Sequence, residues 1–199
     1  MLEARIQQQF FEAADTLYQL ADALSRPVSE AAQAAVGCLT AGGKLLACGK
    51  DSEQDLANAL CAALMLRFER PRPPLAAVAL GSGPLHAPDS VSAAERQQLL
   101  ANQVRALGQP GDLLLVFAGT APDDAELRLA IEEAHAKDIS VVLLSGGEAG
   151  AWPTLLVETD VWIAVAHNRT ARVREVHLLA LHCLCDAIDI QLLGEAEPS

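Results

Sequence analysis

The 199-residue chain has few aromatic side chains, few basic ones and no long apolar run, and each shortage excludes a class of protein. Aromatic residues make up 4% of the chain, so its core must be aliphatic. Lys and Arg number 14 against 26 Asp and Glu, and the net charge of −12 argues against direct binding of nucleic acid or of an anionic membrane surface. No uninterrupted apolar run reaches the ~18 residues of a membrane span. The polar N-terminus lacks the basic and then apolar pattern of a secretory signal.

Cysteine is also scarce, and the five residues are Cys38, Cys48, Cys61, Cys183 and Cys185. Because four of them lie in or beside apolar runs, we expect reduced core thiols in a cytoplasmic protein. Cys183 and Cys185 are two residues apart on a predicted helix, about 200° around its axis, so they cannot hold one metal ion together.

What the chain does contain is an alternation of short apolar runs and amphipathic segments. The apolar runs predict five buried strands, at 44–48, 75–80, 112–117, 139–144 and 160–165. Helical spacing predicts helices at 52–68, 93–107, 122–136 and 169–193, and a Gly/Pro/Ser-rich loop is predicted at 81–90. This alternation is typical of a parallel sheet with helices on both faces. It predicts a three-layer α/β/α sandwich with a five-stranded parallel sheet, of the flavodoxin-like type, in a single domain over residues 1–199.

Two further helices, over residues 2–24 and 28–40, are predicted before the first strand. Both cannot easily cover the sheet, so we expect segment 1–41 to pack between subunits as a helical oligomerisation segment, and residues 42–199 to form the α/β core. The chain is therefore expected to be a homo-oligomer.

Ligands of such sheets bind beyond the carboxyl ends of the strands, near helix N-termini. Two strand-to-helix loops therefore form the candidate cleft, one at 48–53 and one at 118–124. Their carboxylates neutralise the helix dipoles and repel an anionic ligand. Ser52-x-x-Asp55 and Thr120-x-x-Asp123 also match capping boxes, a purely structural use. The expected cleft residues are Lys50, Asp51, Ser52, Glu53, Gly119, Thr120, Asp123 and Arg174.

Several segments resemble the sugar isomerase (SIS) domain family along the whole chain. They include Cys48-Gly49, 67–73, 103–108, 111–115 and Glu175-Val176-His177. These are similar to the phosphoheptose isomerase group, whereas Cys183-Leu184-Cys185-Asp186-Ala187-Ile188-Asp189 is similar to its DnaA initiator-associating branch. The resemblance implies the SIS fold, a site for a carbohydrate derivative and a homotetramer.

The same resemblance places departures at the site. The serine of the family's first loop falls at Glu53, and phosphate-binding hydroxyls of its second loop are missing from 118–123. The family's zinc-binding and acid–base set falls at Ala59, Ala63, Arg174 and His182, of which only His182 is retained. One imidazole does not make a metal site, so we expect no cofactor, with zinc only if the chain is an isomerase.

Three functions follow from this pattern. The departures favour a non-catalytic SIS scaffold that binds DnaA to regulate replication initiation, with Leu192 and Leu193 as a partner surface. Those leucines would otherwise complete the core or a subunit interface. The first alternative is a phosphoheptose isomerase that converts sedoheptulose 7-phosphate to a heptose 7-phosphate, with His182 as a catalytic residue. A hydrogen bond from His182 to Asp186 would instead make that histidine structural. The second alternative is a ligand-sensing or structural SIS subunit.

Overall fold

A computed structural model of the chain describes residues 1–81 and 91–195. Its helices are α1 (Leu2–Thr40), α2 (Gln54–Met65), α3 (Ala93–Gln97), α4 (Leu99–Leu107), α5 (Ala125–His135), α6 (Trp152–Leu155) and α7 (Thr170–Leu193). Its strands are β1 (Leu45–Gly49), β2 (Ala77–Ala79), β3 (Leu113–Phe117), β4 (Ser140–Gly146) and β5 (Val161–Val165). A short 3₁₀ turn, Asp51–Glu53, lies between β1 and α2.

The strands form one parallel sheet in the order β2-β1-β3-β4-β5. Alternate strand residues enter separate cores on the two faces of the sheet. Leu45 and Leu115 pack on one face with α1, α2 and α7, and Leu46 and Leu114 pack on the other with α4 and α5. The central strands β1 and β3 are buried along their whole length, as expected of a strand covered on both sides. The predicted α/β/α architecture is confirmed.

The prediction of two N-terminal helices is wrong, because α1 runs unbroken for 39 residues with Pro27 inside it. Proline removes one helical hydrogen bond and normally kinks or ends a helix. Here packing continues on both sides of the proline: Leu24 contacts the residues of β5 and α7, and Val28 lies in the core that α1 shares with α2 and α7. The burial of both flanks outweighs the lost hydrogen bond.

The second half of α1 also covers the sheet, contrary to the expectation for segment 1–41. Ala31, Ala32 and Ala35 are fully buried against the α1 face of the sheet. Only the first half of α1 projects large apolar side chains into solvent, among them Phe10, Phe11 and Tyr18.

Both predicted capping boxes are wrong, because the helices begin later than the sequence pattern indicated. The N-cap of α5 is Asp124, whose carboxylate accepts hydrogen bonds from Glu126 N at 3.0 Å and Leu127 N at 3.1 Å. Neither Ser52 nor Thr120 caps a helix in the structure. A true capping box occurs at α3, between Ser92 and Glu95.

Two other differences concern helices. The predicted helix over 93–107 is divided at Gln98 into α3 and α4. The short helix α6 was not predicted; Trp152, fully buried, anchors it through a hydrogen bond from its indole N–H to Ala121 O at 3.0 Å. The predicted loop at 81–90 lies, apart from Gly81, outside the described residues.

The last helix, α7, is long and apolar enough to cross a membrane by length and composition, with a mean hydropathy of 1.5 over its most apolar window. In the structure 44% of that window is buried inside the protein. Val173, Leu181 and Ile188 pack into the cores beneath the sheet. These contacts make α7 a core helix of the fold.

A buried ion pair joins α7 to the segment after α2. Arg72 Nε donates to Asp189 Oδ1 at 2.6 Å, and both side chains are 1% exposed. The guanidinium also donates to Leu64 O at 2.6 Å and Ala63 O at 2.8 Å. Arg72 therefore satisfies carbonyl groups at the C-terminus of α2, which have no partner within the helix.

The prediction of core thiols is confirmed for four of the five cysteines and is wrong for Cys183. Cys38, Cys48, Cys61 and Cys185 are buried free thiols, and Cys183 is an exposed one. Burial raises the pKa of Cys48, Cys61 and Cys185 to about 12.

Candidate functional site

The candidate site lies at the carboxyl edge of the sheet, where β1 and β3 end side by side. Gly49 is paired in register with Phe117, so the loops that follow these two strands start as neighbours. A Cβ on Gly49 would lie 2.6 Å from the backbone of Glu53, which shows how tightly the first loop folds back over its strand. Gly119, with φ of +61°, reverses the second loop in a conformation that favours glycine.

The centre of this edge is a contact between Glu53 and His177. His177 comes from α7, and its Nδ1 lies 3.2 Å from Glu53 Oε2. His177 is fully buried, and Glu53 is 5% exposed. The imidazole also packs edge-on against the ring of Phe117, the last residue of β3, with 6.4 Å between ring centroids. A carboxyl group and an imidazole are thus held together at the meeting point of β1, β3 and α7.

Each member of this pair has a buried polar atom left over. Within the described part of the chain, Glu53 Oε1 and His177 Nε2 have no hydrogen-bond partner. The Glu53 side chain passes Gly119, where an added Cβ would lie 3.3 Å from Glu53 Cγ and 3.9 Å from Glu53 Oε1. Unpaired buried polar atoms are costly and mark positions that a ligand or a water molecule can satisfy.

Lys50 spans the mouth of the site instead of pairing with its neighbours Asp51 or Glu53. Its Nζ lies 3.0 Å from Asp124 Oδ2 and 3.8 Å from Glu126 Oε2, across the two loops. The hydrogen bond that Lys50 donates to the Asp124 carboxylate raises the pKa of Lys50. Burial raises the pKa of Glu126, while the charge of Lys50 opposes that shift.

Arg174 holds the first loop from the other side. Its guanidinium donates to Ser52 O, and its Nη2 lies 3.1 Å from Asp55 Oδ2. Both site cations predicted from the sequence are therefore engaged by acceptors of the protein itself. A phosphate group would have to compete with these acceptors for its binding energy.

The remaining predicted cleft residues divide into those at the edge and those outside it. Asp51, exposed and with φ of +50°, begins the 3₁₀ turn together with exposed Ser52. Thr120 Oγ1 lies 3.2 Å from Thr170 Oγ1 at the start of α7. Asp123 belongs outside the cluster, because it is exposed and its carboxylate lies 3.7 Å from Arg128 Nε.

Sequence reasoning missed His177, Asp124 and Glu126. A signal for His177 was present: Val173, His177 and Leu184 recur at helical spacing, which places the histidine on the buried face of α7. Its partner could not be found that way, since 124 residues separate His177 from Glu53.

His182, the retained position of the family's catalytic set, lies on the exposed face of α7. Its ring stacks at 32° on that of Phe68, with 5.6 Å between centroids. The alternative of a hydrogen bond to Asp186 is wrong, since these two described residues form none. At the end of the same helix Leu192 packs against the core, while Leu193 is 43% exposed.

The zinc set that the family implies does not fit this chain. Ala59 and Ala63 have no donor atom, and Arg174 carries a positive charge that repels a metal cation. Across residues 1–81 and 91–195, no group of three His, Cys, Asp or Glu side chains converges as a metal ion requires. His182 alone would leave the remaining coordination positions to water.

Comparisons with known proteins agree with the fold along the full chain. A model of the SIS domain family matches residues 9–146. A relative from Methylibium petroleiphilum, named phosphoheptose isomerase, is 47% identical over 197 residues, which are 99% of this chain and 98% of the relative. A relative of the same name from Azoarcus is 41% identical, over 97% of this chain and 98% of its own.

Solved structures of proteins with the same name are also similar to this chain. The structure of a phosphoheptose isomerase from Francisella tularensis superposes with a TM-score of 0.87 at 36% identity, covering 95% of this chain and 98% of that one. One from Neisseria gonorrhoeae gives 0.85 at 33% identity, covering 95% and 99%.

These comparisons overturn the interpretation of the chain as a non-catalytic DnaA scaffold. Relatives that match from end to end at 40–47% identity are named phosphoheptose isomerase. They favour the isomerase alternative, and nothing in them supports DnaA binding or a role in replication initiation.

Proposed function

The chain belongs to the SIS domain family, and from that membership we propose that it is a cytoplasmic phosphoheptose isomerase, which interconverts sedoheptulose 7-phosphate and a heptose 7-phosphate. The observation that carries the proposal is the 47% identity to a relative of that name over 99% of the chain. That match extends over nearly the whole length of both chains.

The reaction moves a proton between neighbouring carbons of the sugar, so it needs a group that accepts and returns a proton. We assign that role to His182, whose exposed imidazole is accessible to a substrate. Phe68, stacked on the ring, fixes its orientation. Because the residues do not fit zinc, we expect turnover to persist after treatment with a chelator.

The test is a turnover measurement with the purified full chain and sedoheptulose 7-phosphate, with added zinc and separately after chelation. We expect product formation, reduced about 100-fold by His182→Ala, the usual contribution of a general base. Asp186→Asn is the matched control, because Asp186 is exposed one turn away on the same helix. No turnover, beside an active relative assayed in parallel, would refute the proposal.

A second candidate function, a ligand-sensing or structural subunit, is favoured by one observation. Glu53 fills the carboxyl edge, and Ala59 and Ala63 supply no reactive group. This candidate predicts that sedoheptulose 7-phosphate raises the melting temperature without being converted. A ligand at 100 times its dissociation constant would stabilise the fold by about 2.7 kcal/mol.

We also propose that the chain assembles with copies of itself into a homotetramer. A groove of about 370 Å³ runs between α1 and α7, lined by apolar side chains that include Leu17, Leu20, Leu24 and Leu179. Phe10, Phe11 and Tyr18 on the same helix are more than half exposed and supply apolar surface for a second copy. An exposed apolar patch of this kind suits a two-fold interface between copies.

Light scattering tests the assembly. We expect a mass four times that of the 21.0 kDa chain, lowered by Phe11→Glu at the exposed face of α1. Arg26→Ala, on the exposed part of the same helix, should leave the mass unchanged. A monomer at micromolar concentration would contradict this proposal.

A further inference from the structure

We propose that Arg72 is a positioning residue, which orients the imidazole of His182 indirectly, through the ring of Phe68. The ion pair that Arg72 forms with Asp189 fixes segment 67–74 against α7. That segment carries Phe68, whose ring packs on the His182 imidazole. The inference rests on the proposed function of His182, but the contact between the two rings can be measured without turnover.

Segment 67–74 has no regular structure that would hold it in place. Within residues 1–81 and 91–195, none of its members makes a backbone–backbone hydrogen bond. Pro71, Pro73 and Pro74 have no N–H group to donate. The position of the segment on the protein therefore depends on contacts made by its side chains.

The described contacts of this segment come from three side chains. Phe68 is half-buried against the core that α2 and α7 share, and Arg70 donates from Nη1 to Gly194 O at 2.7 Å in an exposed contact. The Arg72 side chain is 1% exposed, and its guanidinium donates to Asp189 and to two carbonyl groups at the end of α2. Because charge-assisted bonds of this kind are the strongest of the three contacts, Arg72 determines where the segment lies on α7.

The two contacts on α7 are close enough for one to control the other. His182 and Asp189 are seven residues apart on this helix, which places them on one face at a separation of about 10.5 Å along the axis. On the segment, Phe68 and Arg72 are four residues apart and can span at most about 14 Å. The chain between them has little slack, so a shift of Arg72 along α7 displaces Phe68 as well.

A buried ion pair contributes little to stability that apolar side chains could not contribute at the same position. Removing two charges from water is costly, and well-packed apolar replacements of similar volume are often as stable or more stable. The guanidinium of Arg72 provides direction instead, because its donors lie in one plane and meet the Asp189 carboxylate and two carbonyl groups in a single arrangement. The pair therefore suits a role in which the Phe68 ring has to keep a constant position.

The experiment compares the wild type with the combined variant Arg72→Met and Asp189→Leu, which removes both charges and keeps apolar volume at each position. We measure turnover of sedoheptulose 7-phosphate by the full chain. We expect kcat to fall about tenfold, less than the loss from His182→Ala, with KM within about twofold of the wild type. A displaced base impairs proton transfer in the transition state but leaves the binding of substrate intact.

The second measurement is the NMR signal of the His182 Hε1 proton, which is identified by its absence in His182→Ala. The ring current of Phe68 shifts this signal in the wild type, since the two ring centroids lie 5.6 Å apart. We expect the signal in the combined variant to move toward its position in Phe68→Leu, which keeps an apolar side chain but removes the ring.

A double-mutant cycle separates positioning from an independent effect of the ion pair. If Arg72 acts through Phe68, the kcat of Phe68→Leu should not fall further when the Arg72→Met and Asp189→Leu replacements are added. Additive losses would overturn the proposal, because the ion pair would then affect the reaction by another route.

Arg105→Met is the matched control. It makes the same replacement in the ion pair of Arg105 with Glu133, which joins α4 to α5 on the face of the sheet opposite α7. We expect both kcat and the His182 signal to stay as in the wild type. A fall in kcat equal to that of the combined variant would contradict the proposal, since the loss of any ion pair would then have this effect.

Melting curves establish that each variant folds. Where the combined variant does not, Arg72→Lys serves as the second variant, because it keeps the buried charge but lacks the planar set of donors. We expect a lower kcat and a displaced His182 signal in Arg72→Lys too. A kcat and a signal position equal to those of the wild type, in whichever variant folds, overturn the inference.

The outcome is separable from that of the proposed function. Turnover by the wild type, with an unmoved His182 signal in the combined variant, refutes only the positioning role of Arg72. No turnover by the wild type refutes the isomerase, and the His182 signal then decides alone whether Arg72 holds Phe68 in place.

Discussion

Arg72 and Asp189 meet at 2.6 Å with only 1% of either side chain exposed, which makes them the most completely buried of the ion pairs described above. Arg72 comes from the segment after α2 and Asp189 from the last turns of α7. The contact therefore fixes the C-terminal end of α7 against α2, on the same pair of helices that carries Ala59, Ala63 and His182. Asp189 Oδ2 has no partner within the described residues, so its only neutralising group is Arg72.

Replacing Arg72 by Met should destabilise the protein by about 3–5 kcal/mol, because it leaves the Asp189 carboxylate buried and uncompensated. Urea unfolding followed by circular dichroism measures this change. The combined Arg72→Met and Asp189→Leu replacement should recover most of the loss. Arg26→Ala breaks the exposed pair with Glu30 and should cost less than about 0.5 kcal/mol. Equal losses for Arg72→Met and Arg26→Ala would show that burial of the pair does not matter.

Thiol reactivity should separate the cysteines by burial. With pKa values raised to about 12, Cys48, Cys61 and Cys185 carry about one thiolate in 10,000 molecules at pH 8 and should not react with iodoacetamide in the folded chain. Exposed Cys183 should be the first to be modified. Mass spectrometry of the digested protein gives the order of labelling, and the buried thiols should react once urea unfolds the chain. Labelling of Cys61 as fast as Cys183 would contradict this expectation.

The contribution of Glu126 to the free energy of unfolding should fall as pH rises. Burial raises its pKa in the folded chain, so the folded state holds its proton more tightly than the unfolded state does. That contribution is fully present below the ordinary glutamate pKa of 4.5 and is lost as pH rises through the raised pKa. We expect Glu126→Gln to stabilise the protein at pH 7 relative to its effect at pH 4, in melting curves at the two pH values.

Glu95 serves as the contrast to Glu126. Hydrogen bonds from Ser92 lower its pKa, so its contribution is present above the ordinary glutamate pKa of 4.5 and disappears as pH falls through the lowered pKa. Glu95→Ala should therefore destabilise at pH 7 and lose that effect in acid. The same sign of pH dependence for both variants would be inconsistent with the two shifts.

Pro27→Ala should stabilise the protein by about 2 kcal/mol. Alanine restores a hydrogen bond inside α1, which offsets the greater freedom of the unfolded chain. The urea midpoint should rise with an unchanged slope. A lower midpoint would mean that the proline ring contributes packing that alanine cannot replace.

The strands were predictable because each is marked by the apolar composition of its own short segment. Leu113–Phe117 is an uninterrupted aliphatic and aromatic run, and a strand covered on both faces has just that composition. Its boundaries in the structure lie within two residues of those predicted. The first residues of the helices were less predictable, since the acidic residues near 51–55 and 123–126 include several possible N-caps. The backbone conformation of the folded chain determines which of them caps the helix.

Most of what the sequence did not predict depends on partners far apart along the chain. The break predicted between residues 24 and 28 is absent, because packing against α7 and β5 holds α1 together across Pro27. Asp51 and Glu53 lie nearest to Lys50 along the chain, yet folding brings Asp124 to its ammonium group. Glu53 was identified as a departure from the family's serine, but its burial against His177 required the relative position of α2 and α7.

The length of α1 has a consequence for amide exchange along the helix. At 1.5 Å per residue its 39 residues span about 58 Å, and the densely buried half is the second one. The first half is less buried, and hydrogen bonds from Arg169 to Glu12 and Gln9 attach it to the start of α7. Amide protons along it should therefore exchange with deuterium in a gradient, slowest near Ala35 and fastest near Ile6. A partner that binds the first half of α1 would slow exchange there and so reduce the gradient. The exchange profile of this one helix therefore reports whether a partner is bound.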